Sequence, residues 1–176
     1  MDILIVPSWY PAHALDVRGI FFRDQALALA NYGHRVGVVA PELRSIRTLG
    51  HGRPCQKRTK YVLDDGVPTY RSCRWAALPR VPYGNYWLWK RDADRLVERY
   101  ITEHGVPDLI HAHSTVYAGA AAVSWARRLQ VPLVITEHST GFARGVFQSW
   151  QLQLARKAAQ AANARISVSP DLAHVL

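Results

Sequence analysis

Short, wholly apolar runs alternate along this 176-residue chain with longer stretches in which apolar residues recur at helical spacing. Apolar runs without interleaved polar residues are typical of strands buried on both faces, and their alternation with helices favours a parallel sheet between two helical layers. The pattern predicts strands at residues 3–6, 36–40, 67–71, 108–113, 131–137 and 164–168. It predicts helices at residues 19–32, 85–104, 116–129 and 147–162. We therefore expect an α/β fold whose sheet is covered by helices on both faces.

In a sheet of this kind, ligands bind in the loops beyond the carboxyl ends of the strands. The loops of interest are residues 7–19, 112–115 and 137–144. The first is long for a strand–helix connection, and it ends at Gly19, where a helix is predicted to begin. A glycine there lets backbone N–H groups approach an anion, which the helix dipole favours. A simple turn glycine is the alternative.

Polar, titratable residues follow two of the predicted strands. His111 and His113 are two residues apart and therefore point to the same face of a strand. Two histidines so placed suit either a pair of ligands to one metal ion or two hydrogen-bonded imidazoles. A third metal ligand does not accompany them in the sequence. Glu137 and His138 occupy the corresponding place after the next strand. Buried, satisfied polar groups are the alternative interpretation of each residue.

Basic residues are concentrated in one part of the chain. Lys and Arg number 22 against 13 Asp and Glu, which gives +9, and residues 41–100 hold thirteen of the basic and six of the acidic residues, a net +7. Aromatic and basic residues interleave at residues 83–91, as at a membrane interface. Alternatively, Trp87 and Leu88 begin a core-facing helix and the charges are simply solvated. No recognition-helix, RNA-binding or zinc pattern occurs, so we expect no nucleic-acid partner.

The absence of other sequence motifs argues against several protein classes. The dinucleotide fingerprint, the P-loop and the hydrolase nucleophile elbow do not occur. No targeting or membrane-spanning stretch is visible, and Cys55 and Cys73 are too few for a disulfide framework. A reducing, cytoplasmic location is therefore expected. The helix-start pattern Ser-Pro-Asp at residues 169–171 stands five residues before the last residue, which predicts a fragment boundary.

The order and spacing of several motifs resemble the N-terminal domain of glycosyltransferase family 4. These motifs are SWYP at residues 8–11, GIF at 19–21, QALAL at 25–29, GHRV at 33–36, PDLIHAH at 107–113, PLVITEH at 132–138 and ISVS at 166–169. The resemblance implies a GT-B architecture, in which two Rossmann-like domains face each other across a cleft. The N-terminal domain binds the acceptor and the C-terminal domain binds a nucleotide-sugar donor. Such enzymes transfer the sugar with retention of configuration and need no metal or other cofactor.

On this resemblance, residues 1–168 form a Rossmann-like parallel sheet with helices on both faces, the N-terminal half of a GT-B enzyme. Residues 44–88 are expected to form an irregular basic and aromatic segment, and residues 169–176 to start an interdomain helix. The C-terminal donor-binding domain is absent from the sequence, so we expect the isolated chain to be inactive.

The resemblance also implies roles for individual residues. Gly19 is similar to the first-loop glycine that lies against the donor diphosphate, and Arg18 stands where many relatives have a second glycine. His113 resembles the strand-end histidine that contacts the transferred sugar, and Glu137 and His138 resemble the acceptor-side pair. The predicted catalytic residue is His113, and the predicted substrate-binding residues are Tyr10, Arg18, Gly19, Ile20, Phe21, Ser114, Glu137, His138 and Arg144.

The function implied is transfer of a sugar to a glycan or lipid-linked acceptor in cell-surface polysaccharide or glycolipid biosynthesis. The basic aromatic segment favours a peripheral location on an anionic membrane, at the inner face of the plasma membrane. Two alternatives come from other classes: a nucleic-acid-binding module, which the charge of +9 suggests, and half of a sugar-nucleotide epimerase, which would have the same two-domain fold.

Overall fold

A computed structural model describes residues 1–11, 16–46, 55, 59–78, 81 and 83–174. The strands of this part of the chain are β1 (Asp2–Pro7), β2 (Arg35–Ser45), β3 (Lys60–Asp64), β4 (Val67–Ala76), β5 (Leu109–His113), β6 (Leu133–Glu137) and β7 (Ala164–Ser167). The helices are α1 (Ile20–Asn31), α2 (Gly84–His104), α3 (Ala120–Leu129), α4 (Ser149–Ala161) and α5 (Pro170–Ala173). A π-helical turn, Thr115–Gly119, leads directly into α3.

The strands form one sheet in the order β3-β4-β2-β1-β5-β6-β7. All neighbouring strands are parallel except β3 and β4, which form an antiparallel hairpin at one edge. The α/β, Rossmann-like fold expected from the sequence is confirmed. The order places β1, β5 and β6 side by side in the centre of the sheet, with their carboxyl ends at a common edge.

Helices cover both faces of this sheet, as the apolar strands predict. Leu4 of β1 belongs to a core that includes Trp89 of α2 and Trp125 of α3, whereas Ile5 points to the opposite face and packs in a second core with Ala26 of α1. Successive strand residues point to opposite faces, so one strand supplies both cores.

The segment 44–88 is more regular than expected. Residues 60–76 form the β3–β4 hairpin, and α2 begins at Gly84. Residues 47–54, 56–58, 79, 80 and 82, with much of the segment's basic charge, lie outside the described residues. The prediction of an irregular segment is therefore wrong for the hairpin and for the start of α2.

The aromatic stretch at the start of α2 divides between core and surface. Tyr86 and Trp89 are buried, and Trp89 Nε1 donates to the Pro41 carbonyl at 2.9 Å. Trp87 points outward and is 61% exposed. The helix is core-facing, as one of the two interpretations held, but the tryptophan that enters the core is Trp89.

Cys55 and Cys73 form a disulfide with their Cα atoms 5.5 Å apart. One bridge is not a disulfide framework, but it does not support the reducing location inferred from the cysteine count. At the other end of the chain, the predicted helix start is confirmed, since Ser169 Oγ accepts from the Leu172 N–H at 3.2 Å. Within the described residues, no helix combines the length and the apolar character that crossing a bilayer requires.

Candidate active site

The three loops singled out from the sequence follow adjacent parallel strands. Pro7 at the end of β1 is level with His113 at the end of β5, which is level with Thr136 near the end of β6. Backbone hydrogen bonds join the first residues of the loops: the Ser8 N–H donates to the His113 carbonyl at 3.2 Å, and the Ser114 N–H donates to the Thr136 carbonyl at 2.8 Å. The loops therefore share one edge of the sheet.

Three imidazoles cluster at this edge. His111 and His113 lie on the face that α1 covers, with ring centroids 4.4 Å apart, and the His138 ring lies 5.5 Å from that of His113. His113 Nδ1 is 3.3 Å from His138 Nε2, and His111 Nε2 is 2.8 Å from Thr136 Oγ1. We call His111, His113 and His138 the imidazole cluster.

His113 combines complete burial with an unused polar atom. Its side chain is inaccessible to solvent, and its Nε2 has no hydrogen-bond partner among the described residues. Burial, then the neighbouring His111 and His138, lowers the pKa of His113 to about 2. Burial, together with His138, lowers the pKa of His111 to about 4. At neutral pH both rings are therefore uncharged, and His113 offers a neutral hydrogen-bonding group that is a weak base.

The first turn of α1 packs directly on the imidazole cluster. The ring centroid of Phe21 is 4.7 Å from that of His138, and the ring centroid of Phe22 is 4.8 Å from that of His113. Among the described residues no side chain caps the N-terminus of α1, and the first turn of this helix holds no acidic residue. The positive end of the helix dipole is thus left without a compensating carboxylate beside the cluster.

Gly19 makes this close approach possible. Its φ is +72°, and a Cβ there would lie 2.8 Å from Trp9 Cδ1 and 3.0 Å from Phe22 Cδ2. Both the backbone conformation and the space therefore require glycine.

Glu137 is buried, and both oxygens of its carboxylate accept hydrogen bonds from neighbouring groups of the protein. Oε2 accepts from the Thr115 N–H at 2.7 Å and from Thr115 Oγ1 at 2.6 Å. Oε1 accepts from the N–H groups of His138 at 2.9 Å and Ser139 at 2.8 Å. Four donors fix the carboxylate between the π-helical turn and the loop after β6, so the geometry suits a group that positions His138.

Ser114 adds a second unused polar atom beside His113. Its φ is +74°, and its carbonyl accepts from the Gly119 N–H at 2.9 Å, which closes the π-helical turn. Its Oγ is buried and has no hydrogen-bond partner among the described residues. The Oγ of Ser114 and the Nε2 of His113 thus both lie at the end of β5, where the loops meet.

Three other predicted residues make their contacts elsewhere. Tyr10 packs its ring against the Arg71 guanidinium of β4, 5.0 Å from the ring centroid. Arg18 is 76% exposed and forms two hydrogen bonds of 3.0 Å to Asp16, so its charge is already paired. Arg144 is exposed in the turn after β6. The structure therefore brings together Gly19, Phe21, His113, Ser114, Glu137 and His138; Ile20 is half-buried in the same first turn of α1.

Comparison with known proteins identifies the family of this sequence. The sequence profile of Glycosyltransferase Family 4 matches residues 19–176, which is most of the chain. The chain belongs to glycosyltransferase family 4. TuaC of Bacillus subtilis (strain 168), which bears the name of a teichuronic acid biosynthesis glycosyltransferase, is 28% identical over 163 residues. The alignment covers 86% of this chain and 41% of TuaC, so the family 4 domain spans about two fifths of its relative's length.

A solved structure agrees with the fold of the family 4 domain. UDP-GlcNAc 2-epimerase from Methanocaldococcus jannaschii superposes with a TM-score of 0.55 at 9% identity, over 96% of this chain and 40% of the epimerase. At this identity the likeness concerns the fold alone. Among the described residues of the domain, no group of three or more His, Cys, Asp or Glu side chains is placed to hold a metal ion.

Three residues that shape the site of the family 4 domain are not predicted from the sequence to have a role in it. Phe22, which packs on His113, fits the helical apolar spacing, and that spacing predicts only a core residue. Ser8 Oγ donates to the His113 carbonyl at 3.2 Å and accepts from the Ala118 N–H at 3.1 Å. Thr115 holds Glu137. Ser8 and Thr115 both lie within two residues of a strand's end, and this position is the sequence feature that points to a place in the site.

Proposed function

We propose that this family 4 domain is the acceptor-binding half of a retaining glycosyltransferase, which moves a sugar from a nucleotide-sugar donor to a glycan or lipid-linked acceptor. One observation carries the proposal: the unpartnered Nε2 of buried His113 lies at the same sheet edge as the uncapped N-terminus of α1. We further propose that a second lobe binds the donor across this edge. The greater length of TuaC supports that second lobe.

The proposed chemistry follows from the charges that develop during transfer. The bond between the anomeric carbon and the leaving diphosphate breaks, the acceptor hydroxyl oxygen bonds to that carbon and gives its proton to the departing diphosphate, and positive charge develops on the sugar in the transition state. The N-terminus of α1 stabilises the negative charge on the departing diphosphate. Gly19 keeps that N-terminus free of a side chain.

His113 acts in this scheme by holding the sugar. A neutral imidazole can form one hydrogen bond through Nε2 to a hydroxyl group, and its low pKa makes it a poor acceptor for a full proton at neutral pH. Positioning therefore fits His113 better than general-base catalysis does. Glu137 is a positioning residue that acts through His138, because its own oxygens are occupied.

An exposed apolar surface supports a lipid-linked acceptor. Leu78, Val81 and Trp87 are 40%, 53% and 61% exposed around the start of α2, and Arg91 is exposed one turn further on. Helix α2 leads into β5, so the end of α2 lies at the amino ends of the parallel strands. The start of α2 therefore lies at their carboxyl ends, on the side of the imidazole cluster. We propose that this surface rests on an anionic membrane at its cytoplasmic face, where tryptophan and arginine suit the headgroup region.

Vesicle sedimentation tests the membrane contact. The protein should sediment with phosphatidylglycerol-rich vesicles at low salt, and Trp87→Ser should weaken this binding. Tyr32→Ser, a change at an exposed aromatic residue near the end of α1, is the matched control and should not weaken it. Absence of binding, or equal loss in both variants, would contradict the membrane contact.

The transfer itself is tested with the intact protein that contains this domain. Release of the nucleoside diphosphate from a nucleotide sugar should require an acceptor, and NMR of the product should show the anomeric configuration of the donor. The 176-residue chain alone should give no transfer. Epimerised nucleotide sugar formed without any acceptor would instead favour the epimerase alternative, and an inverted product would contradict the retaining mechanism.

A further inference from the structure

A cavity lies between β4 and α2, away from the central strands of the sheet. Its volume is about 420 Å³, within the range of small-molecule sites. The residues that line it and that carry the argument are Ser72, Arg74, Trp75, Leu88, Asp92 and Arg95. None of them belongs to the imidazole cluster or to the three loops of the candidate active site.

The cavity has a net positive charge. Arg74 donates from Nε and Nη2 to the two oxygens of Asp92, at 2.7 Å each, and Arg95 Nη1 lies 3.5 Å from the same carboxylate. Two guanidinium groups thus share one carboxylate. Because Arg74 already pairs with Asp92 through both oxygens and Arg95 is 56% exposed, Arg95 retains donors for an incoming anion.

The uncharged part of the lining suits a sugar ring. Ser72 Oγ is buried and without a hydrogen-bond partner in the described part of the chain. Trp75 and Leu88 supply apolar surface. An aromatic side chain beside a few polar groups is the combination that a pyranose needs, since its ring presents both C–H surface and hydroxyl groups.

The cavity's place in the sheet separates it from the imidazole cluster. Strand register aligns Arg71 of β4 with Ala40 of β2, and His113 of β5 with Pro7 of β1. Ser72, Arg74 and Trp75 follow Arg71 and stay paired with β2 in the sheet, so they lie toward the carboxyl ends of the strands. Three inter-strand spacings separate β4 from β5, about 14 Å. The cavity lies on the face that α2 covers and the imidazole cluster on the face that α1 covers, so the two places are further apart than this lateral distance. A glycan of several sugar units that passes over the carboxyl ends of the strands is needed to reach both.

We propose that this cavity is an acceptor subsite that binds a sugar unit carrying a carboxylate, away from the bond being formed. The inference rests on the proposed function, because it takes the acceptor to be a glycan that reaches both places. Arg95 meets the carboxylate, Ser72 meets a ring hydroxyl, and Trp75 packs against the ring.

Two sugars that differ only at one carbon test the proposal directly. Methyl β-D-glucuronide and methyl β-D-glucoside are titrated separately into the 15N-labelled chain, and binding is followed by amide chemical shifts. We expect shifts at residues 72–75 and 88–95, with the glucuronide bound about fivefold more tightly, as for a partly exposed ion pair. Arg95→Ala should remove this preference, and Trp75→Leu should weaken the binding of both sugars.

Arg156→Ala is the matched control, because it removes an exposed arginine from α4 without touching the cavity. It should retain the fivefold preference. Equal affinity for the two sugars, shifts confined to other residues, or equal effects of Arg95→Ala and Arg156→Ala would overturn the proposal. The binding assay needs no transfer activity, so a failed subsite with active transfer refutes this inference alone, and failed transfer refutes the proposed function.

Discussion

Replacing Gly19 by alanine places a methyl group where Trp9 and Phe22 leave no room. The substitution tests whether the loop after β1 and the first turn of α1 are held as tightly as the geometry implies. Gly33 provides a matched control, since it also has a positive φ, +86°, but nothing lies within 4 Å of its added Cβ.

The expected loss of stability has two parts. A left-handed backbone conformation costs an alanine about 1–2 kcal/mol, and this part is shared by Gly19→Ala and Gly33→Ala. Contacts of 2.8 Å to Trp9 and 3.0 Å to Phe22 force these rings to move, and such overpacking costs about 1–3 kcal/mol. Gly19→Ala should therefore reduce the free energy of unfolding by about 2–5 kcal/mol, and Gly33→Ala by the first part alone.

Urea denaturation of the two variants measures the difference. A second readout is the NMR signals of the His113 ring, which should shift in Gly19→Ala, because Phe22 packs on that ring, and should not shift in Gly33→Ala. Equal destabilisation of the two variants, with unchanged His113 signals in both, would refute the close packing of Gly19 against the aromatic rings.

The remaining predictions concern the buried polar groups. The folded protein keeps His111 and His113 neutral because burial lowers the pKa of both rings. The unfolded chain protonates both below about pH 6.5. The free energy of unfolding should therefore fall as the pH decreases from about 6.5 to about 4, by up to about 1.4 kcal/mol per pH unit for each ring. Urea denaturation across this range measures the slope, and a flat profile would contradict the neutral burial. Glu137→Gln replaces an acceptor oxygen with a donor, and loss of charge-assisted bonds from groups such as Thr115 should cost about 3 kcal/mol in the same assay. A loss below about 1 kcal/mol would show that these bonds contribute little.

The central strands could be predicted because their sequences carry one unambiguous pattern. Residues 3–6 are all apolar, and a strand buried on both faces is what such a run favours. The edge strand β3 was missed because most of its side chains are exposed, so it lacks that pattern. Its signal lay in the turn: Asp65 and Gly66 both have positive φ, 46° and 86°, and Asp-Gly is the sequence that such hairpin turns prefer.

The site was predictable in position more than in detail. Sheet topology brings strand ends together, so the common edge of Gly19, His113 and Glu137 followed from the order of strands and helices. The contacts at that edge depend on side-chain packing between distant segments. Neither the packing of the Phe22 ring on His113 nor the hydrogen bonds from Thr115 to Glu137 correspond to a periodic pattern in the sequence.

The loops also show why residue type alone is a weak guide. Arg18 is a predicted substrate-binding residue, but Asp16, only two residues away, pairs with it. Tyr10 contacts Arg71, whose Nη1 donates to the Pro11 carbonyl at 2.6 Å. Tyr10 therefore anchors the first loop to β4, and local sequence does not reveal this contact between residues 61 positions apart.

The transfer rate of His113 variants tests the central claim most directly. His113→Asn keeps a polar atom near the position of Nδ1, toward His138, and removes Nε2, whereas His113→Gln keeps a polar atom within reach of the Nε2 position. In the proposed two-lobed transferase, we expect kcat/KM for transfer to fall about a hundredfold in His113→Asn, as for lost substrate positioning. His113→Gln should recover part of the rate, and the exposed-residue control His174→Ala should retain all of it. A folded His113→Asn protein that transfers sugar at the wild-type rate would contradict the claim that Nε2 holds the substrate.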